Sequence, residues 1–541
     1  MRGPAFAFVF SLSTLILAGC VGEQSGRASA KTPDEPFVDV TAAAGIDYQL
    51  TPAKRPMRIL ESVGSGCGFV DLNGDGKLDV LLVGQPRCAV YRNDGGGRFT
   101  DITAETGLGV EGPWITAAVA DYDRDGDIDV LLAGYRRSAL FRNDGGRFTD
   151  VTAEAGVQVG RWCNTAAFAD FDRDGYPDLY IGTYVKFGPE SKQYCRLHAG
   201  GAHTSCRPVD YDGDVGACFR NRGDGTFEDV TQKWGLDKVH GKNLGIAVAD
   251  YDDDGWPDLF LANDEMAQEL YRNQEGKGFV NVAIETGSAY RGDGGMMGGM
   301  GVDWGDYDND GALDLLVGTY EAEPKALFRN LGGSGFEWAT ARSQIEAASN
   351  VSVVWGTLLF DYDNDGLLDI AFANGHVFDN VEAVNPQSSY RQPTQLFRNQ
   401  GDGSFSFIES PTLAVPMAAR GLACGDYDGD GDLDLLISDI DGKARLLENR
   451  AGNGKHWLLV QTRGTKSNRD GLGARVTLHL KGGKRVGEVR TARSYATVCD
   501  GRVHFGLGDV TEIERVEVRW PSGAVSRVDN VRANQVLVVE E

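Results

Sequence analysis

The sequence predicts an all-β protein: a seven-bladed β-propeller followed by a small β-rich C-terminal domain. Three observations carry this expectation. An acidic nonapeptide of the form D-x-[DN]-x-D-G-x-x-D occurs seven times. Each copy lies between two apolar alternating runs, such as "LGIAVAD" before and "LDLLVG" after, which read as strand, turn, strand. One tail segment of the repeat, "FVDVTAAAGI" (Phe37–Ile46), precedes the first acidic loop, and the last loop ends in "LLENRAG" with no such tail. That phase shift predicts an N-terminal strand completing the last blade and closing a ring, which protects the sheet edges.

The chain begins with an address. "AFAFVFSLSTLILAG" (Ala5–Gly19) is too short and too poorly flanked to span a bilayer and reads as an export signal. Its ending, "LAGC", resembles a bacterial lipobox, so residues 1–20 are expected to be a lipoprotein signal with lipid carried on Cys20. The polar, small residues 21–35 then serve as a flexible tether. The resulting expectation is an exported, membrane-anchored lipoprotein at the outer membrane, at the cell surface or in the periplasm. Setting Cys20 aside leaves eight cysteines, an even number, and an oxidising compartment favours disulfides.

Propeller repeats fill residues 36–450. The acidic loops start 50, 49, 80, 56, 55 and 65 residues apart. After each second strand comes a segment such as "VYRN", "LFRN" or "CFRN", then glycine-rich residues and an aromatic tail such as "FTDVTAEAGV". The candidate ligands are Asp71, Asn73, Asp75 and Asp79 in loop one, and Asp121, Asp123, Asp125 and Asp129 in loop two. Loop three offers Asp170, Asp172, Asp174 and Asp178, and loop four Asp250, Asp252, Asp254 and Asp258. Loop five has Asp306, Asp308, Asp310 and Asp314, and loop six Asp361, Asp363, Asp365 and Asp369. Loop seven has Asp426, Asp428, Asp430 and Asp434.

A glycine at position six lets these carboxylates converge, with the position-seven carbonyl completing the shell. All-oxygen ligation of this kind suits a hard cation, and its flexible geometry favours Ca²⁺ over Mg²⁺. An EF-hand is excluded, because its glutamate at position twelve is here Leu82, Leu132, Ile181, Leu261, Val317, Phe372 or Ile437. Up to seven Ca²⁺, one per blade, would take the formal charge from −26 to −12. A charge of −26 argues against nucleic acid as a partner, and metal binding is expected to be coupled to folding. Loop one, with Asn73 for a carboxylate, is expected to bind most weakly. "DYDGDVGAC" (Asp210–Cys218) lacks the glycine and the last aspartate and reads as an ordinary loop.

The repeats resemble the FG-GAP/VCBS repeats of integrin-type propellers over roughly residues 36–450. Residues 455–541 carry 15 Lys and Arg against 10 Asp and Glu, so they are net positive, and their alternating runs punctuated by glycine indicate a small all-β domain. "GTKSNRDGLGARV", "VHFGLGD" and "VEVRWPSG" in that segment resemble the ASPIC/UnbV domain. Propeller plus this tail is the layout of the cartilage acidic protein family; "ANGHVFDN" and "GMGVDWGDYDNDG" resemble that family too. The resemblance implies an extracytoplasmic calcium binder.

Other features admit two readings each. The insertion at residues 185–218 contains Cys195, His198, His203 and Cys206, which could be a zinc site or a Cys195–Cys206 disulfide pinning an exposed loop, the latter favoured by export. Cys163 and Cys218 are a second, weaker candidate pair. His376 in "NGH" could line the central face of the ring as an acid, base or ligand, or pack locally. Met296, Met297 and Met300 could offer thioethers to a soft metal or fill space beside a glycine-rich bend. Among nucleophile, zinc-protease and phosphate-loop motifs, none is present. The reading favoured is a non-enzymatic calcium-binding protein that engages an unidentified protein or glycan at the cell surface. Its alternative is an enzyme or biosynthetic accessory with an active site in the central mouth of the propeller, at His376.

Overall fold

Each acidic loop joins the first two strands of one four-stranded antiparallel unit. The computed structural model describes residues 35–50, 54–196, 201–383, 385–452 and 454–541. The leader, Cys20, the tether up to residue 34 and His198 lie outside them. The first strands are Gly66–Val70, Trp114–Ala120, Cys163–Ala169, Asn243–Ala249, Val302–Gly305, Val354–Phe360 and Ala419–Gly425. They are wholly buried and rich in Gly and Ala, because they crowd together nearest the centre. In every unit the last aspartate of the loop is the first residue of the second strand, as in Asp79–Val83 and Asp434–Asp439. Among the described residues seven such sheets form, here called blades one to seven.

The ring closes where the phase shift predicts. Strand Phe37–Asp39 pairs with Arg445–Asn449, with Phe37 opposite Asn449. That register repeats in the other blades, for example Phe99 opposite Asn93 and Phe227 opposite Asn221. The tail then makes a single helical turn ended by a left-handed glycine, as at Thr152–Ala155 and Gly156. Its threonine hydroxyl accepts an N–H from the third strand: Thr152 from Leu140, Thr231 from Cys218, and the N-terminal Thr41 from Leu446 of the last repeat (2.9 Å each).

The C-terminal region is not appended at a distance; residues 35–541 form one compact unit. It builds a three-stranded sheet (Val503–Gly508, His456–Arg463, Gln535–Glu540) and a four-stranded one (Gly483–Glu488, Arg475–Leu480, Glu512–Arg519, Val525–Arg532). One apolar cluster joins these sheets to blades two and three, with Leu458, Val476 and Trp520 packed together with Leu131 and Phe168. Between the sheets the chain sends a hairpin, Ala492–Arg493 with Thr497–Val498, into the centre of the ring. Thr497 and Val498 pair in parallel with Cys67 and Gly68 of blade one. The hairpin meets the first strand of every other blade, with Ser494 bonded to Val302 and to the Thr357 N–H (2.9 Å). Tyr495 is fully buried against Trp355, and its hydroxyl donates to the Val63 carbonyl and receives a bond from Asn164 (3.2 Å). Several ring positions need glycine for this reason: a Cβ on Gly66 would lie 2.1 Å from the Ala496 carbonyl oxygen.

Cys163 and Cys218 do not pair. Both are buried thiols on blade three that belong to different apolar clusters, Cys163 toward blade two and Cys218 toward blade four. Met297 and Met300 are core residues, whereas Met296 is exposed, so the three thioethers do not converge.

Candidate metal centre

Loop geometry follows from two left-handed residues. At position six φ lies between 85° and 103° in all seven loops, which only glycine adopts without strain. At position four φ lies between 56° and 81°, held by Gly74 and Gly429 but elsewhere by Arg124, Arg173, Asp253, Asn309 and Asn364. These turns aim backbone N–H groups at the carboxylates. The position-six glycine donates to Oδ2 of the first aspartate, as in Gly366 to Asp361 (2.7 Å) and Gly76 to Asp71 (2.8 Å). The position-nine aspartate accepts from position two and from the third strand, as Asp314 does from Tyr307 (3.1 Å) and Asn330 (2.8 Å).

The donor set fits a divalent cation. Oxygens of Asp121, Asp123 and Asp129 lie within 4.8 Å of one another, as do those of Asp170, Asp172 and Asp178. The same holds for Asp250, Asp252 and Asp254, and for Asp306, Asp308 and Asp314. Oδ1 of Asp121, Asp170, Asp252 and Asp306 is buried with no hydrogen-bond partner. Such orphaned carboxylate oxygens are costly unless something positive meets them. Burial, with neighbouring loop carboxylates adding to it, pushes Asp121, Asp170, Asp306 and Asp426 up to about 7. Asp178, Asp258, Asp314, Asp369 and Asp434 are driven well above the carboxylate range for the same reason. Bound Ca²⁺ would supply the charge that keeps these groups ionised.

The asparagine of the "FRN" segment has a role that motif spacing did not reveal. Asn93, Asn143, Asn221, Asn273, Asn330, Asn399 and Asn449 each donate through Nδ2 to two carbonyls. One belongs to position eight of the blade's own loop, and the other to position two of the preceding blade's loop. Asn93 reaches back to Tyr427 (2.8 Å), so the seam between blades seven and one is fastened like the others. The invariance of Asn across seven repeats of this one chain was the available signal.

The preceding arginine pairs directly with loop carboxylates in three blades. Arg398 sits 2.8 Å from Asp363 and 2.9 Å from Asp365, Arg329 is 2.6 Å from Asp310, and Arg220 is 3.0 Å from Asp174. Blade seven carries Glu448 at this position, which raises rather than offsets the charge around Asp428 and Asp430.

The positive C-terminal domain covers this acidic face. Arg519 pairs with Asp250 of loop four (2.9 Å), Arg475 donates to the Gly311 carbonyl of loop five (2.5 Å), and Arg502 to the Asp426 carbonyl of loop seven (3.1 Å). Asp470 accepts the Asp121 N–H (2.9 Å) and Glu488 the Asp250 N–H (3.2 Å). Inside the ring, Arg493 is locked to buried Asp303 (2.7 Å). None of these partners was legible from local motifs, since they meet the loops across 76 to 349 residues of chain.

His376 does not face an open mouth. It is fully buried, and Nδ1 accepts the Phe378 N–H (2.9 Å), which places the ring proton on Nε2, toward Tyr320 (3.2 Å) and Glu321 (3.5 Å). The channel beneath is filled by the hairpin. On the same side, the insertion folds over the ring, where Asn380 bonds to His203 and Thr204 (2.9 and 3.0 Å). Cys195 and Cys206 are joined there, 4.9 Å apart at Cα, while His203 lies exposed and stacked on Tyr194, so these residues do not assemble a zinc set.

A family model described as an FG-GAP-like repeat matches residues 71–132, 121–181, 215–261, 250–317 and 361–437, and one described as ASPIC and UnbV matches 464–541. The chain is an FG-GAP-repeat protein with a C-terminal ASPIC and UnbV domain. Among curated relatives of this FG-GAP protein, cartilage acidic protein 1 of Xenopus tropicalis is 29% identical over 323 residues, covering 58% of this chain and 46% of the relative. That of Homo sapiens is 29% identical over 337 residues, covering 60% and 48%. The chain thus spans about half the length of the curated relatives it matches. A solved Agrocybe aegerita lectin, described as recognising non-reducing terminal N-acetylglucosamine, is 18% identical with a TM-score of 0.40, covering 70% of this chain and 86% of that one.

Proposed function

We propose that this FG-GAP protein is an exported, calcium-binding surface protein whose propeller presents a binding face to a protein or glycan. The observation that carries the reading is the division of labour between the two faces. Carboxylate loops with orphaned buried oxygens occupy one face, where the ASPIC and UnbV domain covers them. The opposite face carries the disulfide-pinned insertion, with Tyr194 and Val209 exposed. Calcium rigidifies the blades, with one ion in each loop, and the insertion and its neighbouring loops contact the partner. Export follows from the N-terminal leader and suits the likeness to cartilage acidic protein 1, and Cys20 carries the lipid that holds the chain to a membrane. Among the described residues no helix is long and apolar enough to cross one.

The test is a pull-down from envelope extract and culture medium with the chain lacking residues 1–20, in calcium and in chelator, under conditions where it stays folded in both. A macromolecular partner retained in calcium is the expected result. No retained partner, with a small molecule copurifying instead, would overturn the reading.

A further inference from the structure

Three thiols meet where the hairpin leaves the ring: Cys67 on the first strand of blade one, Cys424 on the first strand of blade seven, and Cys499 just after the hairpin. All three are buried and unbonded in the structure. Cys499 lies against Cys424 along both backbone and side chain. The Asp500 N–H donates to the Cys424 carbonyl (3.2 Å), and the Cys424 N–H points at the Cys499 sulfur (3.5 Å). Cys67 turns away, its thiol donating to the Leu436 carbonyl (3.3 Å).

We propose that Cys424 and Cys499 are a disulfide site, closed during oxidative folding, that fastens the ASPIC and UnbV segment covalently to the propeller ring. Residues on hydrogen-bonded neighbouring backbone segments, with the N–H of one on the sulfur of the other, have the backbone proximity that the bond demands. The chemistry is also arranged. In the seated state the Cys424 side chain, and then the Arg493 guanidinium, hold the Cys499 thiol below its usual range, while burial drives Cys67 up. Arg493 itself sits 3.7 Å from the Cys424 sulfur. The oxidant is a disulfide, of a small molecule or of a thiol–disulfide oxidoreductase. Cys499 thiolate attacks one of its sulfurs, forming a mixed disulfide and releasing one thiolate. Cys424, giving up its proton, then attacks the Cys499 sulfur and releases the second thiolate. One protein disulfide is formed, the oxidant is reduced to two thiols, and two electrons pass from protein to oxidant. Both sulfurs are inaccessible once the domain has seated, so the mixed disulfide at Cys499 forms before docking, and Cys424 closes the bond as docking brings it to Cys499.

The bond would do what the noncovalent contacts cannot do alone. The hairpin enters a ring of seven blades and is held there by Arg493, Ser494 and Tyr495; a covalent link beside it joins the last blade to the segment that fills the centre.

The full chain is refolded in calcium with mixtures of oxidised and reduced glutathione, then alkylated in denaturant, digested without reductant and mapped. It is read at the ratio where Cys195 and Cys206 are joined. The expected result is a peptide pair linked through Cys424 and Cys499, lost on reduction, retained in Cys67→Ser and absent in Cys424→Ser. Alkylated Cys424 and Cys499 in that digest, or Cys499 linked to Cys67, would overturn the proposal. The oxidised chain should also unfold at a higher denaturant concentration than the reduced chain, a difference that Cys424→Ser cuts to what the Cys195–Cys206 bond alone contributes.

Discussion

Substituting Asn93 by alanine tests whether the ring is held by its asparagine staples. The change removes two donated hydrogen bonds, to Leu78 (3.1 Å) and across the seam to Tyr427 (2.8 Å), and one accepted from Gly95 (2.9 Å). The Gly95 N–H lies near solvent and finds water, so it adds little. Both carbonyls belong to buried residues, and each left unpaired costs about 1–3 kcal/mol. Allowing for partial relaxation, the expected loss is about 3 kcal/mol. The backbone N–H of residue 93 still donates to Asp79, so the candidate ligand of loop one keeps its support. The assay is urea unfolding followed by tryptophan fluorescence in saturating calcium, comparing midpoints of Asn93→Ala and Asn221→Ala with the parent chain. Asn221 makes the equivalent bonds to Tyr122 (2.9 Å) and Pro177 (3.0 Å) inside the ring, so a local staple predicts similar losses at both sites. Shifts within about 0.5 kcal/mol for both variants, the range of ordinary surface substitutions, would refute the reasoning.

Chelation should lower the melting temperature sharply; Asp308→Ala should weaken one site in a calcium titration and spare the rest, and equal melting curves with chelator and with calcium would sink the structural role. In chelator, stability should fall as pH rises. Loop aspartates titrating near 7 in the fold and near 4 when unfolded favour the folded state below pH 4, and that contribution is lost as pH rises through 7. A melting temperature that rises across this window in chelator would contradict the burial argument. Glu448→Arg should weaken calcium binding at loop seven, since it gives that loop the counter-charge that Arg398 gives loop six, and an unchanged titration would reject that role. Tyr495→Ala removes a fully buried aromatic from the channel and should cost about 3–5 kcal/mol, checked by urea unfolding in calcium, whereas a near-neutral change would mean that the hairpin is dispensable.

What the sequence determined by itself was everything that recurs. A glycine fixed at position six of each loop, aspartates at fixed spacing and alternation on either side are local constraints, so the strands, turns and candidate ligands could be read in place. Ring closure was legible too, because a displaced tail has only one register in which Phe37 can oppose Asn449. Tertiary structure alone decided what occupies the channel and what covers the acidic face. The hairpin's Arg493 and Tyr495 find Asp303 and Trp355 only after blades distant in sequence converge, and such long-range contacts leave no periodic trace. His376 shows the same limit from the other side. A histidine after a strand looks available in sequence, and only packing against Tyr320 and Phe378 in an enclosed ring makes it a buried structural residue. Charge gave a partial signal: an acidic propeller beside a basic tail implies attraction, but which arginine meets which loop is set by how the two surfaces fit.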